Sequence, residues 1–490
     1  MLVTCQEMAD AEARLFATGV EAEPLMEKAG LGCARAIRDF YRGPGRAVLF
    51  CGKGNNGGDA LVAGRWLRQW GWNVSVDLSH DPAEMTDLAR KKLEELSSFQ
   101  GGSTDVEGSQ FVLVDGLLGI GAKGAIRGKI RDSADRLNGL RREENGDTFA
   151  IDIPSGLDGD TGEPFEGAVI ADLTLSICAP KRGIAGDGAV NHVGRIVEIP
   201  LPEIPVDSKQ GDLQLLLPSN LRPRLPRRDF DFHKGKAGRL VIVAGSRGLS
   251  GAPVLSSLGA SHSGAGLTSL LVPENIYSIV ASTAPAEVMV RPFSSINEIS
   301  DFEADVLAIG PGLGKEMADQ LVELIANDPR PAVIDADALN ALSRKPELLG
   351  KLPEGKRMLT PHPGELKRLS GKTGDRVSLT RDLATEWGVT LLHKGARTVI
   401  ATPGKPVALN TSGHPGMASG GMGDVLTGVC ASLLGQGLGM HDAACVGSWI
   451  LGRAAEIAVR DEGISRNSVT AVSVANRVGC AFSDLENSVL

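Results

Sequence analysis

Aromatic side chains are scarce in this chain, with five Trp, two Tyr and twelve Phe among 490 residues. That supply is too thin for the stacked platforms on which single-stranded nucleic acid is held. Excess positive charge is missing as well. With 51 Lys and Arg against 60 Asp and Glu, the formal net charge is −9. This argues against a polyanion as the main partner and leaves room for a local phosphate site only. The seven cysteines, at 5, 33, 51, 178, 430, 445 and 480, form no CxxC pair. Odd in number and widely spaced, they read as buried thiols in a reducing compartment rather than a disulfide framework. A long apolar run is also absent. Residues 248–273 carry no Asp, Glu, Lys or Arg, yet they hold five glycines, six serines, two prolines and His262, which makes a poor membrane span. The start, MLVTCQEMADAEARLF, has neither a basic leader nor an Arg-rich transit pattern, so the expected location is cytoplasmic.

What the chain has in abundance is glycine, 62 residues, about twice the usual share. These glycines follow apolar runs, as in an α/β protein whose backbone approaches a ligand closely. The length suggests two large domains as the simplest case. In the first, Leu25, Met26, Ala29, Cys33, Ala36, Ile37 and Phe40 mark one face of a helix after Pro24. Strands are expected at RAVLFC (46–51), NVSVD (73–77), FVLVD (111–115), FAIDIP (149–154) and ADLTLSI (171–177). Strand, glycine turn and helix in alternation predict a Rossmann-like, doubly wound parallel sheet. A stretch rich in proline and charge over 202–228 places the boundary near 215–225, giving domains 1–215 and 225–490. The second segment repeats the alternation from RLVIVAG (239–245), with a helix over 251–265 and clear helices over 421–435 and 441–460. No solenoid-type repeat is visible.

Residues 52–57 form a literal GxGxxG between a strand and a helix, with Asp77 twenty residues further on, the setting of a dinucleotide fingerprint. A nicotinamide dehydrogenase is therefore one reading. Against it, Asp59 enters the helix N-terminus, where pyrophosphate would be repelled. Asn55 and Asn56 add oxygen ligands that such a motif does not need. Asp115 closes FVLVD before GLLGIGAKGAIRG, and Asp152 sits in IDIPSGLDGD. Strand carboxyl ends are where an open α/β sheet binds ligands, so Asn56, Asp115 and the Ser155 region are expected to converge as an oxygen cage for a hard cation.

GKGNNGGD, VDGLLGIG and IDIPSGLDGDTG together resemble the NAD(P)H-hydrate epimerase domain, also called the YjeF N-terminal or apolipoprotein A-I-binding-protein domain. The resemblance implies that Asn55, Asn56, Gly57, Gly58 and Asp59, the loop Gly119, Ile120, Gly121, Ala122, Lys123, Gly124 and Ala125, and Asp152 hold the damaged nucleotide. It also implies that Asn56, Asp115 and Ser155 ligate potassium and that Asp152 is catalytic. Ala60 stands where that family usually has Gly, and GLLGIG replaces the more usual ALFGTG.

In the second segment, SGHPGMASGGMGDVLTG (412–428) puts glycines 420, 421 and 423 ahead of a helix that begins with Asp424. Free N–H groups at that helix mouth stabilise a developing anion, and Asp424 is placed to take a proton from an attacking hydroxyl. Lys394-Gly395-Ala396-Arg397-Thr398 offers a cation and backbone donors between two strands, and by itself also fits a hairpin. His362 lies between two prolines beside a helix start, GPGLG (310–314) follows DVLAI, and SGA (250–252) opens a helix.

KGKAGRLVIVAGS, GPGLG, DADALN, TPHPGE, KGARTV and GGMGDVLTG, in this order, resemble the NAD(P)H-hydrate dehydratase family, which has a ribokinase-like fold. The resemblance implies that Ala252, Gly312, Gly314, His362 and Asp424 contact the hydrated dinucleotide. It implies that Lys394, Gly395, Ala396, Arg397, Thr398 and Gly423 contact ADP, with magnesium on the phosphates and Asp424 catalytic. Arg397 stands where glycine is often found. The fusion of the two domains resembles bacterial bifunctional repair proteins, which implies an oligomer acting on the hydrates of NADH and NADPH with ADP. The residues alone leave ADP against ATP open. The other readings are a ribokinase-type vitamin-precursor kinase and a non-catalytic binding scaffold.

Overall fold

Apolar runs bounded by glycine turns become strands with little exposed surface, and the amphipathic segments between them become the covering helices. The computed structural model describes residues 2–41, 43–99, 110–122, 124–206, 211–460 and 463–487. The chain divides into two units, one up to Gly211 and the other from Asp212. The division thus falls a few residues ahead of the expected 215–225.

The first unit holds a six-stranded sheet of β1 (Arg46–Cys51), β2 (Asn73–Leu78), β3 (Phe111–Gly116), β4 (Asp147–Ile151), β5 (Leu173–Ile177) and β6 (Arg195–Ile199). The order is β2-β1-β3-β4-β5-β6, parallel throughout. Its helices are α1 (Cys5–Phe16), α2 (Ala22–Phe40), α3 (Asn55–Gln69), α4 (Asp87–Ser98) and α5 (Gly128–Glu143). Helix α2 buries the expected face, including Leu25, Met26, Ala29, Cys33, Ala36 and Ile37. The strand predicted at FAIDIP ends at Ile151, because Asp152 turns into the left-handed region at φ 68° and cannot extend the ladder. The order reverses between β1 and β3, so the crevice outside their carboxyl ends is the natural ligand position.

The second unit holds a ten-stranded sheet of β7 (Leu213–Leu216), β8 (Arg239–Val243), β9 (Leu267–Pro273), β10 (Met289–Phe293), β11 (Val306–Ile309), β12 (Ala332–Ile334), β13 (Arg357–Leu359), β14 (Thr390–His393), β15 (Val399–Ala401) and β16 (Val407–Asn410). Their order is β10-β9-β8-β11-β12-β13-β14-β15-β16-β7. Among the described residues, pairing within this sheet is antiparallel only at β14–β15 and β15–β16. Here the switch point lies between β8 and β11. The Gly251–His262 helix stops three residues short of the predicted 265. It packs backbone to backbone on the Met422–Gly435 helix. A Cβ on Gly428 would lie 1.9 Å from the Ser256 carbonyl oxygen, and one on Gly259 would lie 2.4 Å from that of Val425. Among the described residues no helix is long and apolar enough to cross a membrane. All seven cysteines are free.

Candidate active sites

In the first unit, the turn after β1 is compressed against the turn after β3. A Cβ on Gly52 would sit 1.9 Å from the Leu117 carbonyl oxygen, and one on Gly57 would sit 2.1 Å from that of Gly52. Glycine is required there by contact, and the compression brings Asn56 beside the second loop. The Asn56 side-chain amide donates to the Leu118 carbonyl at 2.8 Å. The Leu118 N–H donates to Ser155 Oγ at 3.0 Å. Ser155 in turn donates its hydroxyl to Asp115 Oδ1 and its N–H to Asp115 Oδ2, both at 2.7 Å. Asn56, Asp115 and Ser155, expected to converge from three separate loops, therefore form one connected group.

Asp115 is fully buried and, among the described residues, meets no Lys or Arg. Burial pushes its carboxyl up to about 6, against the opposing pull of the Ser155 and Leu117 donors. A buried carboxylate beside an amide oxygen and a hydroxyl, with no cationic side chain to balance it, is a donor set that suits a hard monovalent cation.

Asp152 lies at the same carboxyl edge. Its Oδ1 accepts the Ile177 N–H at 3.1 Å and an ion-pair hydrogen bond from Lys181. Half-buried Asp59 faces the same region. Its carboxyl is pushed well above the ordinary range by burial and then by the charges of Asp152 and Glu12. Of the loop expected to hold the nucleotide, Gly119 packs against Asn56, with a Cβ there 3.6 Å from its side chain. Gly121, Ala122, Gly124 and Ala125 are exposed. Ile120 is half-buried and packs against an apolar cluster with Met8 and Ala11 of α1. Lys123 lies outside the described residues. Asn55 is exposed at the start of α3, and Gly57 and Gly58 are buried in its first turn. Asp77, the acid of the dinucleotide fingerprint, is engaged by Arg136 of α5 on an edge strand.

In the second unit the Met422–Gly435 helix starts at Gly421, whose φ of 90° turns the chain into it. Asp424 sits in its first turn. Burial, then the nearby Asp335, push its carboxyl up to about 7, Lys394 pulling the other way. Lys394 donates to Asp335 Oδ1 at 2.7 Å, and the Thr427 hydroxyl donates to Asp335 Oδ2 at 2.9 Å. Gly423 fits against this pair. A Cβ there would lie 3.2 Å from Lys394 Nζ and 3.3 Å from Asp335 Oδ2.

Residues 394–398 are the turn of the β14–β15 hairpin. Gly395 and Ala396 are exposed, while Arg397 and Thr398 are buried. The Arg397 carbonyl accepts from Arg376 at 3.1 Å. The residues therefore split, with the backbone of 395–396 open to a ligand and the Arg397 side chain held inside. Gly312, at φ 63°, abuts Ala252, with a Cβ there 2.9 Å from the alanine methyl. Gly314 donates its N–H to Asp337 at 2.8 Å. His362 caps the Pro363–Ser370 helix, its Nδ1 accepting from Gly364 N–H at 3.0 Å, and leaves its side chain half exposed.

Two family models match the chain. One described as YjeF-related protein N-terminus matches residues 22–183, and one described as NAD(P)H-hydrate dehydratase matches residues 240–477. A bifunctional NAD(P)H-hydrate repair enzyme from Moorella thermoacetica is 38% identical over 94% of this chain and 93% of its own length. The chain belongs to the bifunctional NAD(P)H-hydrate repair enzyme family. Another member, from Thermofilum pendens, is 34% identical over 94% of this chain and 91% of its own. Among solved structures, a ribokinase-like superfamily protein from Enterococcus faecalis V583 is 25% identical, with a TM-score of 0.51. It covers 57% of this chain and 98% of its own.

The repair-enzyme family matches fall one in each unit, and helix α1 lies outside the first of them. Several residues that build the two centres were not singled out in the sequence: Lys181, Asp335, Asp337, Glu365 and Thr427. Asp335 and Asp337 lie in DADALN, Glu365 in TPHPGE and Thr427 in GGMGDVLTG, so a signal was present for these four. Lys181 follows the β5 strand in SICAPKRG, and only its partner across the sheet edge reveals it.

Proposed function

We propose that the first unit interconverts the R and S hydrates of NADH and NADPH, and that the second dehydrates the S hydrate at the expense of ADP, releasing AMP and phosphate. The observation that carries this reading is the near full-length match to bifunctional repair enzymes, together with a carboxylate centre at the strand carboxyl edge of each unit. In this reading the unit up to Gly211 is the epimerase domain and the unit from Asp212 the dehydratase domain, the expected limits of 1–215 and 225–490 being moved because β7 belongs to the second sheet.

In the hydrate, C6 of the ring carries a hydroxyl beside the ring nitrogen. Loss of that oxygen to an iminium, or opening of the C6–N1 bond, makes the carbon planar, and return from the other face gives the other epimer. Either route moves one proton at the C6 oxygen, and Asp152 carries it. Asn56, Asp115 and Ser155 would hold a potassium ion, which would supply a fixed positive charge for the bound nucleotide. An Asp115→Asn protein is expected to need at least about tenfold more potassium for half-maximal epimerisation, with dehydration unchanged. A titration with potassium chloride against choline chloride checks this.

In the second unit Asp424 takes the C6 hydroxyl proton as the hydroxyl oxygen bonds to the β-phosphorus of ADP and AMP departs. The N–H groups at the mouth of the Met422–Gly435 helix hold the developing negative charge. Phosphate then leaves from C6 with the C–O bond pair, and the C5 proton is lost to restore the ring double bond. Among the described residues no group of three or more His, Cys, Asp and Glu forms a metal cluster. A magnesium ion accompanying the nucleotide would neutralise phosphate charge there. His362, Ala252 and the 312–314 backbone bind the dinucleotide, and residues 394–398 with Gly423 bind the nucleotide.

The test mixes R and S hydrates of NADH with the protein, magnesium, potassium and either ADP or ATP, following dihydronicotinamide absorbance and both epimers by chromatography. Consumption of both, faster than spontaneous epimerisation, supports the proposal and names the nucleotide. Loss of the S form alone makes the first unit a binding module. No recovery with either nucleotide sinks the repair reading and favours a kinase with a stable phosphorylated product.

A further inference from the structure

The environment of Asp152 is built to a degree that a simple nucleotide contact does not require. Asp152 follows β4 at φ 68°, and Cys178, which follows the neighbouring β5, is at φ 64°. Two side-chain-bearing residues in the left-handed region at adjacent strand ends mark strained backbone held by its surroundings. Both turns converge on Lys181, which is only 1% exposed. Its ammonium bonds Asp152 Oδ1 and donates to the Ile177 carbonyl at 3.0 Å. The Ile177 N–H donates to the same Oδ1. Among the described residues no donor reaches Oδ2.

The backbone of Lys181 is fixed independently. Val3 donates its N–H to the Pro180 carbonyl at 3.0 Å and accepts from Arg182 N–H at 2.8 Å, bridging the chain start to this turn.

We infer that Lys181 is the positioning residue of the epimerase centre: it anchors Asp152 through Oδ1 and leaves Oδ2 as the oxygen that exchanges the proton with the hydrate. This rests on the epimerase reading of the first unit. The groups facing Asp152 make the cation necessary. Asp59 comes from α3 and Glu12 from α1, with the thiols of Cys5, Cys33 and Cys178 around them. Lys181 supplies the opposing charge in contact.

The experiment measures R-to-S conversion without ADP, so that dehydration is silent, across substrate concentration in the full-length protein and in Lys181→Met and Lys181→Arg. In Lys181→Met kcat for epimerisation is expected to fall at least about tenfold with KM changed less than about threefold, because the reacting oxygen is misplaced while the nucleotide contacts remain. Lys181→Arg, which keeps a donor to Oδ1, is expected to recover part of kcat. Urea unfolding of the first unit shows that each variant is folded. A folded Lys181→Met with unchanged kcat, or with a loss confined to KM, overturns the inference, as does an arginine variant no better than methionine. If the unsubstituted protein itself fails to interconvert the epimers while still dehydrating the S form, the epimerase reading fails first and the inference goes with it.

Discussion

An Asp424→Asn protein will lose dehydration of the S hydrate by about 10²- to 10⁴-fold while epimerising at the unaltered rate. The asparagine keeps the shape of the first turn and its packing but cannot accept the hydroxyl proton. The same carboxyl sets the pH dependence. It lies near 7, raised by burial and by Asp335. Below that value it is protonated, so kcat/KM for dehydration will fall about tenfold per pH unit on the acid side. Replacing Asp335 by Asn removes the neighbouring negative charge and frees Lys394, and both changes favour ionised Asp424. The acid limb will then move to lower pH. Dehydration that survives undiminished in Asp424→Asn would take that residue out of the role of base.

A second large effect is expected from Gly428→Val. Backbone contact between the Gly251–His262 and Met422–Gly435 helices leaves no room for a Cβ, since it would meet the Ser256 carbonyl oxygen at 1.9 Å and the Ala260 nitrogen at 2.8 Å. Neither is the end of a flexible side chain, so the helices must separate. The cost is on the order of 3 kcal/mol. The displacement also carries Thr427 and Asp424 away from Asp335, and a shift of about 1 Å at a reacting group costs about 100-fold in rate. Urea unfolding should show a weakened second unit, and dehydration should fall with it. Unchanged stability would mean that the helix pair tolerates separation.

Much of the fold was readable because apolar runs are local signals. RAVLFC became β1 over the predicted residues, and the other interior strands of the first sheet followed the same pattern. The strands that escaped notice were β6, β7, β10 and β16, and the first three are sheet edges. Edge strands face solvent on one side and carry what interior strands avoid, such as the proline and arginine of MVRPF or the glutamine of LQLL. At the sites, glycine loops and Asp424 were legible for the same local reason. Asp335 meets Lys394 and Thr427 at separations of 59 and 92 residues. Lys181 meets Asp152 across 29. Nothing in a single sequence specifies such pairings. The sheet order brings them together by placing successive strand ends along one edge.

The position of β7 bears on any attempt to separate the two halves. The text around it looks like a tether, yet Leu213–Leu216 pairs in register with Val407–Asn410 and closes one side of the larger sheet. A fragment begun at 217 or later would leave the outer rim of β16 bare, with Val407 and Leu409 in a row of unpaired N–H and C=O groups. Such a rim invites pairing with other copies, and a fragment of that kind would aggregate for reasons unrelated to its chemistry. A cut ahead of Asp212 keeps that border covered.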